Sequence, residues 1–192
     1  MRSSGIENPM GHPGQRPQTK HIRYGDEQDL EAILAIEAAC FAQPWPAELL
    51  GRRLEQGSFF VYEEAQVIRG YIIIGLRPPR PWEQLRQQLQ SWLGRAGKRA
   101  EPYGHVLNLA VAPRYRRRGI AGVLLRTGLA YLRQRRAGCV ELEVRVNNEA
   151  ALRLYRNFGF QIVARLPRYY YQQGEDAYLM RKCFQSSPCL DR

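Results

Sequence analysis

Hydrophobic and polar positions along the first half of this chain change period several times, which predicts alternating helices and strands. The elements expected here are a strand over 21–24, helices over 30–40 and 47–55, and two strands over 58–64 and 67–76. Asp26 is the expected N-cap of the first helix. Between the two helices, the loop from Phe41 to Trp45 carries bulky apolar side chains that need a partner surface.

The second half repeats this mixture. Its expected elements are a strand over 106–111, a helix over 119–136, a strand over 139–146, a helix with an asparagine N-cap that ends at Gly159, and a further strand. In the strand over 139–146, Glu141, Glu143 and Arg145 alternate with apolar residues. Such a polar stripe lines a cleft or faces solvent, because a face covered by helices does not accept unpaired charges.

Three segments fall outside this pattern. Residues 1–19, rich in Gly, Pro and Ser, are expected to be a flexible tail, and 185–192 a C-terminal tail, which leaves one domain over 20–184. Prolines interrupt the insertion over about 77–104, although 82–93 has helical spacing. That helix is either a flap over one edge of the site or a solvent-facing elaboration.

Composition narrows the choice of partners. The 192 residues are 44% hydrophobic, enough for one core, and no apolar run is long enough for a membrane span. The net charge of +11 favours binding to polyanions, but the sequence contains no nucleic-acid-binding motif.

The four cysteines form no CxxC pair, and no histidine lies at metal-ligand spacing, so we expect no metal site. We expect the cysteines to be buried or tail thiols and the protein to have a reducing, cytoplasmic location.

The most informative stretch joins the strand over 106–111 to the helix after it. Arg116, Arg117 and Arg118 lead into Gly119, where unpaired helix N–H groups, the helix dipole and a glycine come together. This combination predicts a site for phosphate or pyrophosphate. It matches neither the P-loop nor the GxGxxG pattern. The alternative is a solvated basic helix entrance.

Two motifs resemble those of the GNAT superfamily of N-acetyltransferases. Arg116-x-x-Gly119-x-Ala121 resembles its acetyl-CoA pyrophosphate loop, and 148–160 resembles its acceptor-side pattern N-x-x-A-x-x-L-Y-x-x-x-G-F. With the tyrosines at 169–171, the chain resembles the protein Nα-acetyltransferase branch, which includes bacterial ribosomal-protein alanine acetyltransferases and archaeal amino-terminal acetyltransferases. The resemblance implies one GNAT fold of the α/β class, with a mixed, mostly antiparallel sheet between helices, and acetyl-CoA as cosubstrate.

The resemblance also implies roles for individual residues. The backbone of Leu109, Ala110 and Val111 would bind the pantetheine arm, and Asn148 would contact the cosubstrate from the other side. The pyrophosphate would bind at Arg116, Arg117, Arg118, Gly119, Ile120, Ala121 and Gly122. The substrate peptide would contact Phe41, Trp45, Asn108, Tyr170 and Tyr171.

Glu143 falls at the position of the general base and Tyr155 at that of the general acid. Some relatives have an assisting tyrosine where this chain has Asn108, which argues against a two-residue relay there. Glu141 is a competing base on the same strand face, and Glu143 alternatively forms an ion pair with Arg145 or a loop arginine.

The sequence therefore predicts transfer of acetyl from acetyl-CoA to the α-amine of a protein N-terminus, such as the alanine of a ribosomal protein. Membrane and direct nucleic-acid binding are not required. Two alternatives stay open: acetylation of a small-molecule amine or a lysine side chain, and a non-catalytic basic module that binds the ribosome or nucleic acid.

Overall fold

A seven-stranded sheet in the order β1-β2-β3-β4-β5-β7-β6 forms the centre of the protein. The computed structural model describes residues 20–79, 85, 88–90, 92–93 and 101–184. The strands are β1 (Lys20–Tyr24), β2 (Phe59–Glu64), β3 (Val67–Arg77), β4 (Tyr103–Val111), β5 (Cys139–Arg145), β6 (Gln161–Tyr170) and β7 (Glu175–Cys183). The helices are α1 (Leu30–Cys40), α2 (Ala47–Glu55), α3 (Ile120–Gln134) and α4 (Glu149–Asn157).

All neighbouring strands pair antiparallel except β4 and β5, which are parallel. These two pair only from Tyr103↔Cys139 to His105↔Glu141. Beyond His105 they have no paired residues, so 106–111 has a strand partner on its β3 side alone in the described part of the chain. The sheet therefore has a gap between β4 and β5 that exposes backbone polar groups of β4.

Alternate residues of β3 enter two separate cores. Ile72 and Ile74 pack with α3 and α4 on one face, whereas Tyr71 and Ile73 pack with α1 and α2 on the other. A strand buried on both faces must be apolar at nearly every position, as β3 is. The predicted mixed, mostly antiparallel sheet between two helical layers is thus confirmed.

The helix termini form where the local sequence predicts them, with small shifts. Asp26 and Asp29 form a reciprocal capping box, but on a 3₁₀ turn that precedes α1. The side chain of Asn148 accepts from the N–H of Ala151 at the start of α4. Gly159 adopts the left-handed φ of 83° that ends this helix. The predicted helix over 119–136 is one or two residues shorter at each end.

The prediction of buried, unpaired thiols is wrong for Cys139 and Cys183, which form a disulfide between β5 and β7. The two residues lie opposite each other in the strand register, although 44 positions separate them in sequence. Cys40 is free and half-buried, and Cys189 lies outside the described residues. Because disulfides persist mainly outside the reducing cytosol, the cysteines no longer support a cytoplasmic location.

The described part of the insertion faces solvent. Leu85, Leu89, Trp92 and Leu93 are all exposed, and Trp92 is 84% exposed. This agrees with the solvent-facing alternative for these residues, while Trp82 and both predicted tails lie outside the described part of the chain. No helix in the ranges described above is long and apolar enough to cross a membrane.

Candidate functional site

The loop between β4 and α3 has the backbone of an anion site. Arg117 and Gly119 adopt left-handed φ angles of 62° and 79°, and α3 begins directly afterwards at Ile120. A backbone in which left-handed residues alternate with other conformations turns successive N–H groups to one side of the loop, where the helix dipole adds positive potential. A Cβ on Gly119 would meet nothing within 4 Å, so the space over the loop is open.

The three arginines of this loop are not equivalent. Arg116 folds back, so that its Nε donates to the carbonyl of Val111 at 3.2 Å and its Nη2 lies 3.3 Å from Cys40 Sγ. Arg118 packs over the ring of Tyr115, with its Cζ 5.5 Å from the ring centroid. Arg116 therefore stabilises the turn, and contacts of the three arginines with a phosphate stay a prediction.

A hydrogen-bonded pair lies at the mouth of the gap. His105 Nε2 on β4 is 2.7 Å from Glu143 Oε2 on β5. Burial raises the pKa of Glu143, but the His105 hydrogen bond and the charges of His105 and Arg77 outweigh it and leave this pKa below its usual value. Since an ionised carboxylate only accepts, the His105 proton is on Nε2, and Nδ1 is buried without a partner among the described residues.

The competing interpretations of the polar stripe are resolved by ion pairs. Glu141 is bound by Arg181, whose Nε and Nη2 lie 2.7 and 2.6 Å from Glu141 Oε1. Arg145 pairs with Glu175 rather than with Glu143. Glu143 is therefore the carboxylate of this stripe that pairs with a histidine and has no arginine ion pair among the described residues.

A second carboxylate, Glu37 of α1, was not predicted from the sequence. Its Oε1 accepts from Asn108 Nδ2 at 2.6 Å and from the Tyr71 hydroxyl, and its Oε2 accepts from the Trp45 N–H at 2.9 Å. Burial raises the pKa of Glu37 despite the donors at Trp45 and Asn108, which lower it. Asn108, predicted to bind substrate, is thus engaged with Glu37, and Glu37 fixes the loop that holds Trp45.

Tyr155 on α4 is buried and packs edge-on against Phe160 at 5.8 Å between ring centroids. Burial, with a smaller contribution from Tyr170, raises the pKa of Tyr155 well above its usual value. The phenol thus stays protonated at any physiological pH. A group in this state can donate a proton or a hydrogen bond but does not act as a base.

The aromatic residues predicted to contact a peptide separate into two groups. Phe41 and Trp45 pack beside the α1 and α2 core, and Tyr170 is half-buried close to the charge of Glu143. Tyr171 is 83% exposed. Contacts of Phe41, Trp45, Tyr170 and Tyr171 with a peptide therefore stay predictions.

His105 and Glu37 have different signals in the sequence. Glu37 lies four positions after Ile33, on the apolar face of α1, where a charged residue needs a partner. His105 carries no such signal, because its pairing depends on the register between β4 and β5.

A cavity of about 650 Å³ lies elsewhere, between α1, the β2–β3 turn and the residues after β4. Residues that line it include Arg23, Glu63 and Arg114, and none of the predicted site residues does. It is not part of the site at the β4–β5 gap.

Comparison with known proteins agrees with this geometry. Residues 30–160 match the model of the acetyltransferase (GNAT) family. The N-alpha-acetyltransferase of Sulfurisphaera tokodaii is 35% identical over 163 residues, which cover 83% of this chain and 90% of the relative. The N-alpha-acetyltransferase RimI of Mycobacterium tuberculosis is 47% identical over 161 residues, which cover 80% and 86%. The crystal structure of Ard1 from Thermoplasma volcanium has a TM-score of 0.69 at 25% identity and covers 87% of this chain and 99% of that chain.

Proposed function

The chain belongs to the GNAT acetyltransferase family, and from this premise we propose that it acetylates the α-amine of protein N-termini with acetyl-CoA. The observation that carries the proposal is the Glu143–His105 pair at the mouth of the β4–β5 gap. An ionised carboxylate at this place can accept a proton from an ammonium group, and the adjacent anion loop suits the diphosphate of a nucleotide.

Each residue of the site then has a defined task. The N–H groups at 119–122 and the side chains of Arg117 and Arg118 bind the diphosphate, while the backbone edge of 109–111 that faces away from β3 binds the pantetheine arm as an added strand would. Acetyl-CoA supplies the acetyl group as a thioester. Glu143 accepts the proton of the attacking amine, and His105 holds the carboxylate in place. Tyr155 holds a proton for the departing sulfur.

The chemistry of the base favours an α-amine over a lysine. The α-amino group has a pKa of about 7.7–8.0 and lysine about 10.4, so neutralising lysine costs roughly 3.5 kcal/mol more. That difference corresponds to a preference of about 300-fold when the two amines are bound equally well. A single carboxylate with a low pKa is therefore suited to N-termini and poorly suited to lysine side chains.

The substrate class that we propose is a protein N-terminus with a small first residue, alanine in particular, as on a ribosomal protein. Glu37 anchors the Phe41–Trp45 loop through the Trp45 N–H, and this loop is the one proposed to contact the first residues of the peptide. The net charge of +11 favours approach to the ribosome. A cytoplasmic location follows from this substrate and stays a prediction.

Mass spectrometry of N-terminal peptides incubated with the protein and acetyl-CoA tests the proposal. We expect acetylation of the α-amine of an Ala-initiated peptide and none of the same peptide with a blocked N-terminus. Acetylation of internal lysines or small amines alone would contradict it. If the protein instead binds nucleic acid with a steep salt dependence and transfers no acetyl group, the non-catalytic alternative is correct.

A further inference from the structure

The hairpin of β6 and β7 departs from regular pairing beside the site. Leu166 pairs with Ala177 and Tyr170 pairs with Glu175, so three residues of β6 face Asp176 alone. A bulge of this kind bends a strand and changes the direction of its side chains. It therefore determines where Tyr169 and Tyr170 point.

The bulge is stabilised by Asp176. One carboxylate oxygen accepts from the N–H of Arg168 at 2.7 Å, and the other accepts from Arg165 Nε at 2.8 Å. Arg168 has a left-handed φ of 49°, which is unusual for a residue with a side chain. The irregular backbone is thus held by specific contacts, which is the usual situation for strained segments at functional sites.

Tyr170 is fixed in turn by Arg145, at the end of β5. The Arg145 guanidinium lies 3.9 Å from the centroid of the Tyr170 ring, and Arg145 Nη1 donates to Glu175. Glu175 is the residue paired with Tyr170 across the hairpin, and it also accepts from Asn147 Nδ2 at 3.4 Å. Arg145, Tyr170 and Glu175 therefore form a closed set of contacts, which we call the hairpin latch.

The latch joins three parts of the site. Arg145 belongs to the strand of Glu143, Asn147 precedes the Asn148 cap of α4, and Tyr170 belongs to the peptide side. Tyr170 is close enough to both proposed catalytic groups for electrostatic coupling: it raises the pKa of Tyr155, and its own pKa is raised by burial, lowered by Arg145 and raised by Glu143 among other neighbours. A shift of Tyr170 therefore changes the part of the site where the peptide is proposed to bind.

We propose that Arg145 is a positioning residue for peptide binding: by stacking on Tyr170 and pairing with Glu175, it holds the β6–β7 hairpin against the site. This inference rests on the proposed function, because it assumes a peptide substrate and attributes part of the affinity for that peptide to Arg145. Arginine is suited to the role since its planar guanidinium stacks on a ring and pairs with a carboxylate at once, whereas a lysine ammonium does so poorly. The latch involves none of the predicted acetyl-CoA contacts.

The experiment compares Arg145→Lys, Glu175→Gln and the double variant with the wild-type protein. From a cation–π contact and a partly shielded ion pair, we expect the peptide KM to rise about 10- to 30-fold in each. The KM for acetyl-CoA and kcat stay within about twofold. Because the residues act as one unit, we expect the peptide KM of the double variant to rise about as much as in each single variant, and not by the product of the two single effects.

Arg165→Lys is the matched control. Arg165 forms an exposed ion pair with Asp176 on the same hairpin, which a lysine can also form, and the Arg168 N–H bond to Asp176 that holds the bulge stays intact in this variant. We expect its peptide KM to stay within about twofold of wild type, because exposed pairs contribute little. An equal rise in Arg165→Lys, an equal rise in the acetyl-CoA KM, or an unchanged peptide KM in Arg145→Lys would overturn the proposal.

Trypsin cleavage after Arg168 provides a second readout that requires no acetyl transfer. The bond is already exposed, but Asp176 holds the Arg168 N–H and fixes the backbone there, so that a protease can engage it only when the hairpin opens. Arg145→Lys and Glu175→Gln are therefore expected to be cut about 10- to 30-fold faster than wild type and Arg165→Lys at the wild-type rate. If wild type acetylates no N-terminus, the proposed function fails, while the cleavage rates still decide the latch. Equal cleavage in all four proteins would refute the latch itself.

Discussion

Replacement of Glu143 by glutamine is the most direct test of the site. The amide has the size of the carboxylate, and its oxygen can still accept from His105 Nε2, so the 2.7 Å contact can be kept. What is lost is the ability to accept a proton. The change therefore separates the chemistry of Glu143 from its contribution to the fold.

The expected magnitude follows from the state of the two groups. General-base assistance is worth about 10²–10⁴ in rate, so we expect kcat of Glu143→Gln to fall at least about 100-fold at pH 7. At that pH roughly one α-amine in eight is already neutral, whereas at pH 9 nearly all are. The ratio of the wild-type kcat to the Glu143→Gln kcat should therefore fall about eightfold between pH 7 and pH 9.

The kcat of the variant should thus rise between pH 7 and pH 9, whereas the kcat of the wild-type protein should not. The pKa of Glu143 is lowered, so the carboxylate is present above that value and is lost only as the pH falls through it, below the usual range for glutamate. The stability that the His105 contact contributes follows the same sign: it is present above the unfolded-state pKa and is lost as the pH falls through the folded-state value.

Release of free thiol at saturating acetyl-CoA and peptide measures this rate at each pH. Glu141→Gln is the matched control, because Glu141 lies two residues away on the same strand face but is bound by Arg181. We expect it to lower the free energy of unfolding by about 1–2 kcal/mol and to leave kcat within threefold. A Glu143→Gln variant within tenfold of wild type, or a larger loss in Glu141→Gln, would refute the assignment of the base.

Three further outcomes can be measured. Tyr155→Phe should slow kcat by no more than about tenfold, because a thiol with a pKa near 8.5 departs without full protonation; a larger loss than in Glu143→Gln would contradict this. Arg117→Glu with Arg118→Glu should raise the acetyl-CoA KM by about 30- to 100-fold, with a smaller effect at high salt, and leave the peptide KM unchanged. Serines at Cys139 and Cys183 should lower the free energy of unfolding by about 4 kcal/mol in denaturant titrations, as a 44-residue separation implies, and reducing agent should then have no further effect.

Much of the fold was predictable because its signals are local. The run of Ile72 to Ile74 identifies a strand that is buried on both faces, and the glycines at 119 and 159 stand where left-handed backbone begins or ends a helix. These patterns depend on neighbours within a few residues, which the chain itself displays. The same holds for the anion loop, whose arginines and helix terminus are contiguous.

The relations between strands were not predictable in this way. The Cys139–Cys183 disulfide, the Arg145–Glu175 pair and the contact of His105 with Glu143 all depend on which residues lie opposite one another across strand boundaries. A shift of one residue in register would send every side chain of a strand to the other face. No local pattern specifies that register over separations of 30 to 44 residues.

The sequence by itself determined the order of helices and strands, the loop that can bind a phosphate and the polar stripe on the strand over 139–146, since each depends on short-range spacing. The tertiary structure decided how each carboxylate is held. Arg181 pairs with Glu141 and buried donors hold Glu37, whereas at Glu143, despite burial, the His105 hydrogen bond and the charges of His105 and Arg77 keep the pKa low. The reactivity of a charged group depends on the dielectric and the partners around it, and those are set only when distant strands come together.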